Sequence, residues 1–136
     1  MSPTHLLDTN AAIGVLNGSA PSVVARLGAL EPGQVCLAAI VKAELLHGAR
    51  RSRRVEKNLG LLREFFAPFA SLPVDDLCAE HYASIRAELE AAGTPIGAHD
   101  LLLAATTRAY DLVLVTHNVR EFSRVAGLRL EDWEAD

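Results

Sequence analysis

Short, strongly apolar runs alternate along this chain with longer stretches in which apolar residues recur at helical spacing. The apolar runs predict strands at His5 to Leu7, Gln34 to Leu37, Ser71 to Val74 and Leu112 to Val115, with Leu128 to Leu130 as a short edge strand. The periodic stretches predict helices over Asn10 to Leu30, Ala39 to Ala70 with a break near Ser52, Asp75 to Ala92 and Ala98 to Tyr110. Leu112-Val113-Leu114-Val115 is apolar at every position, which suits a strand covered on both faces. Alternating β and α elements imply right-handed crossovers, and hence an α/β fold with an open parallel sheet of four to five strands flanked by helices. Ligands of such sheets bind beyond the carboxyl ends of the strands. Residues that directly follow a strand are therefore the first candidates for chemistry.

Composition narrows this picture. With 136 residues, half of them apolar, the chain is expected to form one domain over residues 1–136 and to bury a core without staples. A net charge of −4 argues against a protein that holds nucleic acid mainly by bulk positive potential. Cys36 and Cys78 lie far apart, with no CxxC or Cys/His cluster, so they read as core residues in a reducing cytosol and not as a disulfide framework or zinc site. Met1 to Asp8 has no basic region leading into a long apolar segment, and no run approaches the roughly 18 apolar residues that span a membrane. The expectation is a soluble cytoplasmic protein.

The acidic residues fall where the fold puts chemistry. Asp8 follows the first strand and should emerge at the carboxyl edge of the sheet; capping the next helix explains it equally well. Glu44 shares a helical stripe with Ile40, Val41, Leu45 and Gly48, a face expected to be buried. An ionised group there needs a cation, strong hydrogen bonds or a raised pKa. An ion pair with an arginine such as Arg86 is the structural alternative. Asp100 lies in the first turn of a helix opened by Gly93-Thr94-Pro95-Ile96-Gly97, where the helix dipole favours it and where Asp8 should also lie. Asn118 and Glu121 follow the fourth strand with capping-box spacing. Thr116, at the end of that strand, is placed to orient a carboxylate or to contact a phosphate.

Together these segments resemble a known family. Asp8-Thr9-Asn10, Glu44, Asp100 after a glycine-containing turn, and Thr116-His117-Asn118, in that order and spacing, resemble the PIN-domain ribonucleases. Ile85-Arg86-Ala87-Glu88-Leu89, Asn118-Val119-Arg120-Glu121-Phe122, Gly127-Leu128-Arg129 and Glu131-Asp132-Trp133 are similar to the VapC toxins of bacterial VapBC toxin–antitoxin pairs, and the resemblance runs through the whole chain. It implies an endoribonuclease using Mg²⁺ or Mn²⁺ that cuts structured RNA at an accessible loop. The substrate class it implies is tRNA, notably the anticodon region of initiator tRNA, with inhibition by a cognate VapB antitoxin. By position, Asp8 and Asp100 match the metal-binding carboxylates, Glu44 the third acidic residue and Asn118 the fourth position. Many PIN domains carry aspartate at that fourth position; the amide weighs against a second tightly held metal and leaves Glu121 as a helper. The family's dimers imply a homodimer, to which Val23, Val24, Leu27 and Leu30 contribute unless they simply belong to the core.

The chemistry explains why such residues would gather. Phosphate oxygens repel a nucleophile, and a divalent cation held by carboxylates reverses the local sign. On this reading Asp8 and Asp100 bind the ion, Glu44 orients or deprotonates the attacking water, and the products carry a 5′-phosphate and a 3′-hydroxyl. His5, His47, His81, His99 and His117 form no zinc-type pair, although His99 and His117 adjoin the acidic positions and are candidates for RNA contact. Arg50 and Arg51, with Arg53 and Arg54, are the dense basic cluster expected to meet RNA phosphates; a solvated helix end is the alternative. Two rival functions remain at this point. One is a phosphatase using Asp8 as nucleophile, although a second aspartate two residues on is replaced by Asn10; the other is a non-catalytic module that recruits RNA or a partner.

Overall fold

The structure is a computed structural model and describes residues 2–134, so Met1, Ala135 and Asp136 of the expected domain lie outside the described residues. Five strands, β1 (His5–Leu7), β2 (Val35–Ala38), β3 (Ala70–Leu72), β4 (Val113–Val115) and β5 (Arg129–Glu131), form one sheet. Their order is β3-β2-β1-β4-β5 and every pairing is parallel. Parallel neighbours need crossovers, which here are helical. Helices α1 (Thr9–Asn17) and α2 (Pro21–Gly28) join β1 to β2, while α3 (Ala39–Arg50) and α4 (Val55–Phe66) join β2 to β3. Helices α5 (Asp76–Ala91) and α6 (Ala98–Ala109) join β3 to β4, and the single turn α7 (Val119–Phe122) leads towards β5.

The core lies where the sheet meets these helices. All four residues of β2 are buried, as are Leu6 and Leu7 of β1 and Leu114 and Val115 of β4. Helix α6 buries Leu101, Leu103, Ala104, Ala105, Thr106 and Thr107. Its two threonine hydroxyls donate to the carbonyls of Leu102 and Leu103, each at 2.8 Å, so their burial leaves no polar group unpaired. Cys36 and Cys78 are buried and unpaired. No described helix is long and apolar enough to cross a membrane.

Several element boundaries differ from the pattern-based expectation: β2 lies one residue later than expected, and the helix expected to reach Ala70 ends at Phe66. The helix expected over Asn10 to Leu30 is two helices: Gly18 takes φ +73° as the cap of α1, and Pro21 opens α2. The third strand ends at Leu72, before Pro73, which has no N–H to give a neighbour. Leu112 is outside β4 because its N–H closes the end of α6 on the Thr107 carbonyl, at 3.0 Å. The edge strand sits one residue later than expected, at Arg129–Glu131. Val23 of α2 is buried, and Leu27 of α2 and Leu30 just beyond it pack on the core, so of the residues considered for a self-interface Val24 is the exposed one.

The strand order positions the site. Chain connections leave β1 towards β2 on one side, whereas β5 extends the sheet beyond β4 on the other, so the order reverses between β1 and β4. A crevice opens beyond the carboxyl ends of strands at such a reversal. Leu7 pairs with Val115 across it, and the next residues are Asp8 and Thr116.

Candidate active site

Asp8 is 6 % exposed. It is the N-cap of α1, where its carboxylate accepts the Ala11 N–H at 2.7 Å. The Thr116 hydroxyl donates to the same carboxylate and accepts the Asn118 N–H at 3.0 Å. Burial pushes the Asp8 pKa above the usual carboxylate range; the bonds from Thr116 and Ala11 oppose that rise, and the negative charge of Glu134 adds to it. Helix capping and a place in the crevice are thus one position for Asp8, not alternatives.

Asp100 stands in the first turn of α6. Its pKa is pushed up to about 7, first by burial, then by a hydrogen bond with Glu121 and by the charges of Glu121 and Asp8. Two carboxyl groups in hydrogen-bond contact need a proton between them or a cation nearby. Asn118 Nδ2 donates to Glu121 Oε2 at 3.0 Å, so the expected capping box does not form and the amide instead secures the carboxylate that faces Asp100.

Glu44 reaches the same place from α3. Its side chain is 52 % exposed, which corrects the expectation of a buried face. Val41 and Leu45 are residues that α3 buries, whereas Glu44 lines a cavity shared with residues of α1, α6 and α7. Arg86 is no partner for it, being bonded to Glu90 at 2.9 Å and to Tyr82 at 3.2 Å. The group nearest to Glu44 is His99, whose Nδ1 lies 3.7 Å from its Oε1.

Asp8, Thr9, Asn10, Glu44, His99, Asp100 and Asn118 line one cavity of about 220 Å³, with the buried Leu103 and Phe122 as apolar wall. No described lysine or arginine lines it. The structure therefore brings Asp8, Glu44, Asp100 and Asn118 together. Thr116 lies beneath them, 1 % exposed, where it orients Asp8 and has no access to a phosphate. Arg50 and Arg51 are elsewhere: they are exposed at the end of α3 and line no part of this cavity. A helix that follows β2 runs back from the carboxyl edge, and Arg50 lies about 9 Å along the axis past Glu44.

Several site residues carry no role that the sequence alone assigns. Thr9 and Asn10 line the cavity because α1 begins directly at Asp8. Outside the cavity, His117 Nδ1 is 3.0 Å from Asp132 Oδ2, which pushes the imidazole pKa up. His117, Asp132 and Glu134 bring ligand-type atoms within 4.8 Å of one another. These side chains come from the loop after β4 and the segment after β5, a long-range pairing with no local spacing signal.

Comparison with known proteins places this geometry. The PIN domain pattern matches residues 5–128. The chain is 39 % identical to the tRNA(fMet)-specific endonuclease VapC of Shigella flexneri, over 94 % of this chain and 96 % of the relative. It is 36 % identical to Ribonuclease VapC2 of Haemophilus influenzae, over 95 % and 97 %. Among solved structures, the DNA-bound VapBC of Salmonella typhimurium superposes with a TM-score of 0.90 at 36 % identity, covering 96 % of this chain and 98 % of that one. VapBC-1 of nontypeable Haemophilus influenzae gives 0.88 at 29 % identity, covering 97 % and 99 %. The chain belongs to the PIN-domain family and, within it, to the VapC ribonuclease toxins of VapBC toxin–antitoxin systems.

Proposed function

We propose that this toxin is a Mg²⁺-dependent endoribonuclease, with Mn²⁺ as an alternative ion, that hydrolyses initiator tRNA in its anticodon region and is neutralised by a cognate VapB antitoxin. The observation that carries the reading is the cavity holding Asp8, Glu44 and Asp100 with no cationic side chain of its own. PIN nucleases are metal-dependent as a class, and the donor set here fits a hard divalent cation: all-oxygen ligands, of which Asp8 and Asp100 have pKa values raised first by burial, that of Asp100 also by Glu121 and by the charge of Asp8. Relatives at 39 % and 37 % identity are tRNA(fMet)-specific endonucleases, and similar solved structures are toxin–antitoxin complexes. Those similarities favour the tRNA and antitoxin assignments; a cytoplasmic place of action and a homodimer with one PIN unit per chain complete the proposal and rest on the family resemblance alone.

In this mechanism Asp8 and Asp100 would hold the ion, Asp8 fixed by the α1 cap and Thr116, and Asp100 by its bond with Glu121. When bound, a divalent cation there would supply Lewis acidity and offset negative charge on the phosphate. Glu44, half-exposed at the mouth, is placed to orient the attacking water and to take its proton. Asn118 holds Glu121 and keeps the rim polar. The ribose 2′-hydroxyl has no part, so the products carry a 5′-phosphate and a 3′-hydroxyl.

A phosphatase with Asp8 as nucleophile is disfavoured, because the buried carboxylate is engaged by Ala11 and Thr116. The test is to incubate the purified toxin with initiator and elongator tRNAs, with Mg²⁺ or with chelator, and to map the ends. Metal-dependent cleavage of initiator tRNA leaving 5′-phosphates is expected. Ends carrying a 2′,3′-cyclic phosphate, or RNA binding with no cleavage, would defeat the proposal.

A further inference from the structure

His99 sits between two residues of the cavity and belongs to the direct support of neither Asp8 nor Asp100. Its Nε2 is 3.1 Å from Thr9 Oγ1, within hydrogen-bond range. Its Nδ1 is buried with no hydrogen-bond partner, and the carboxylate of Glu44 lies just beyond reach at 3.7 Å. Leaving a buried polar group unpaired is costly, which favours any small movement that pairs it. Glu44 is the group able to move, since its side chain is half-exposed. Closing to the usual N–H···O length takes an approach of under about 1 Å.

The tautomer follows from electrostatics. With the proton on Nε2, a bare lone pair on Nδ1 would face a carboxylate. With the proton on Nδ1, an N–H faces Glu44, and the Thr9 hydroxyl donates to the free lone pair of Nε2. We propose that Thr9 and His99 form a positioning relay for Glu44: Thr9 O–H donates to His99 Nε2, and His99 Nδ1–H donates to the Glu44 carboxylate and holds it over the cavity. His99 is a positioning residue here and exchanges no proton with substrate. Its value lies in where it is anchored. Thr9 follows Asp8 and His99 precedes Asp100 in the chain, so the relay sets the third carboxylate by reference to the other two. The inference rests on the reading of Glu44 as the residue that orients the attacking water.

The test has one arm that needs no activity. Imidazole ¹⁵N shifts of the metal-free full-length chain near pH 8 are expected to show His99 protonated on Nδ1 and bare on Nε2, and Thr9→Val is expected to shift the population towards Nε2–H. A wild-type His99 that is mainly Nε2–H, or doubly protonated, overturns the relay. The second arm is kinetic. His99→Asn keeps a donor at the δ position and is expected to hold kcat within a few-fold. His99→Gln moves the donor to the ε position and is expected to lower kcat about 10–100-fold with KM unchanged, the range typical of an outer partner of a catalytic group. In an E44Q background the same His99 changes should add little, as coupled residues do. Equal kcat for the Asn and Gln variants, or an effect confined to KM, overturns the proposal. If the wild-type chain cuts no RNA, the nuclease reading fails while the ¹⁵N measurement still decides the relay. If E44Q cuts as well as wild type, Glu44 has no such role and the relay has nothing to position.

Discussion

Asp8 and Thr116 meet across the junction of β1 and β4, one residue beyond the paired Leu7 and Val115, and the Thr116 hydroxyl bonds the Asp8 carboxylate while accepting the Asn118 N–H at 3.0 Å. The buried threonine thereby couples two positions of the cavity through one oxygen. Thr116→Val keeps its shape and removes both bonds. Expected outcomes are a kcat lowered about 10–100-fold and a stability loss of about 0.5–1.5 kcal/mol for each of the two hydrogen bonds removed. Thr116→Ser should restore most of both. Steady-state cleavage with urea unfolding checks this, and wild-type kcat in the valine variant would remove Thr116 from the support of Asp8.

Because Asp8 also caps α1, two substitutions there separate folding from chemistry. Asparagine caps a helix about as well as aspartate, so Asp8→Asn should unfold at nearly the wild-type denaturant concentration; Asp8→Ala should lose about 0.5–2 kcal/mol. Both should lose cleavage by more than the roughly 10–100-fold expected of an outer partner if, as proposed, Asp8 is a direct ligand of the ion. Retained metal-dependent cleavage by Asp8→Asn would place the ion elsewhere.

The legibility of this site in the sequence follows from which signals are local. A carboxylate directly after an apolar run, as in Leu6-Leu7-Asp8, needs only the strand to be recognised, and the same holds for Thr116 after Leu114-Val115. Asp100 is readable from the turn before its helix. Glu44 is readable as an oddity on an apolar stripe, but its exposure is not, because the cavity it lines is built from α1, α3, α6 and α7 and exists only in the assembled fold. The spacing from Asn118 to Glu121 suggests a cap; the competing demand of Asp100 on Glu121 redirects the Asn118 amide, and no local pattern reports such a demand. The split of the first long helix is signalled by Gly18 and Pro21, yet the apolar periodicity continues through both and outweighs them.

Asp100 makes metal-free stability depend on pH with a definite sign. Its pKa in the folded chain, about 7, lies above the ordinary value of 3.8, so the folded state binds the proton more tightly than the unfolded one. The folded state is therefore penalised above pH 7, and the penalty fades as pH falls from 7 towards 4. Asp100→Asn should raise the metal-free Tm most at pH 8 and hardly at all near pH 4. Added Mg²⁺ should stabilise wild type and not the variant. A Tm difference that is constant across this range would mean that Asp100 titrates normally.

Arg50 and Arg51 offer a separate handle on binding, because they stand outside the cavity at the carboxyl end of α3. If they meet RNA phosphates, they contribute attraction without touching the reacting bond. Replacing both with alanine should weaken binding of different RNAs alike and raise KM while leaving kcat unchanged. For every phosphate of a single-stranded loop that is no longer neutralised, the slope of log K against log salt should also fall by about 0.7. Titrating labelled tRNA and an unrelated RNA at several salt concentrations reads both quantities. An unchanged slope would assign the two arginines to the solvated end of α3, where cations are favoured by the helix dipole alone, and the charge that draws RNA to this acidic chain would then have to come from another surface.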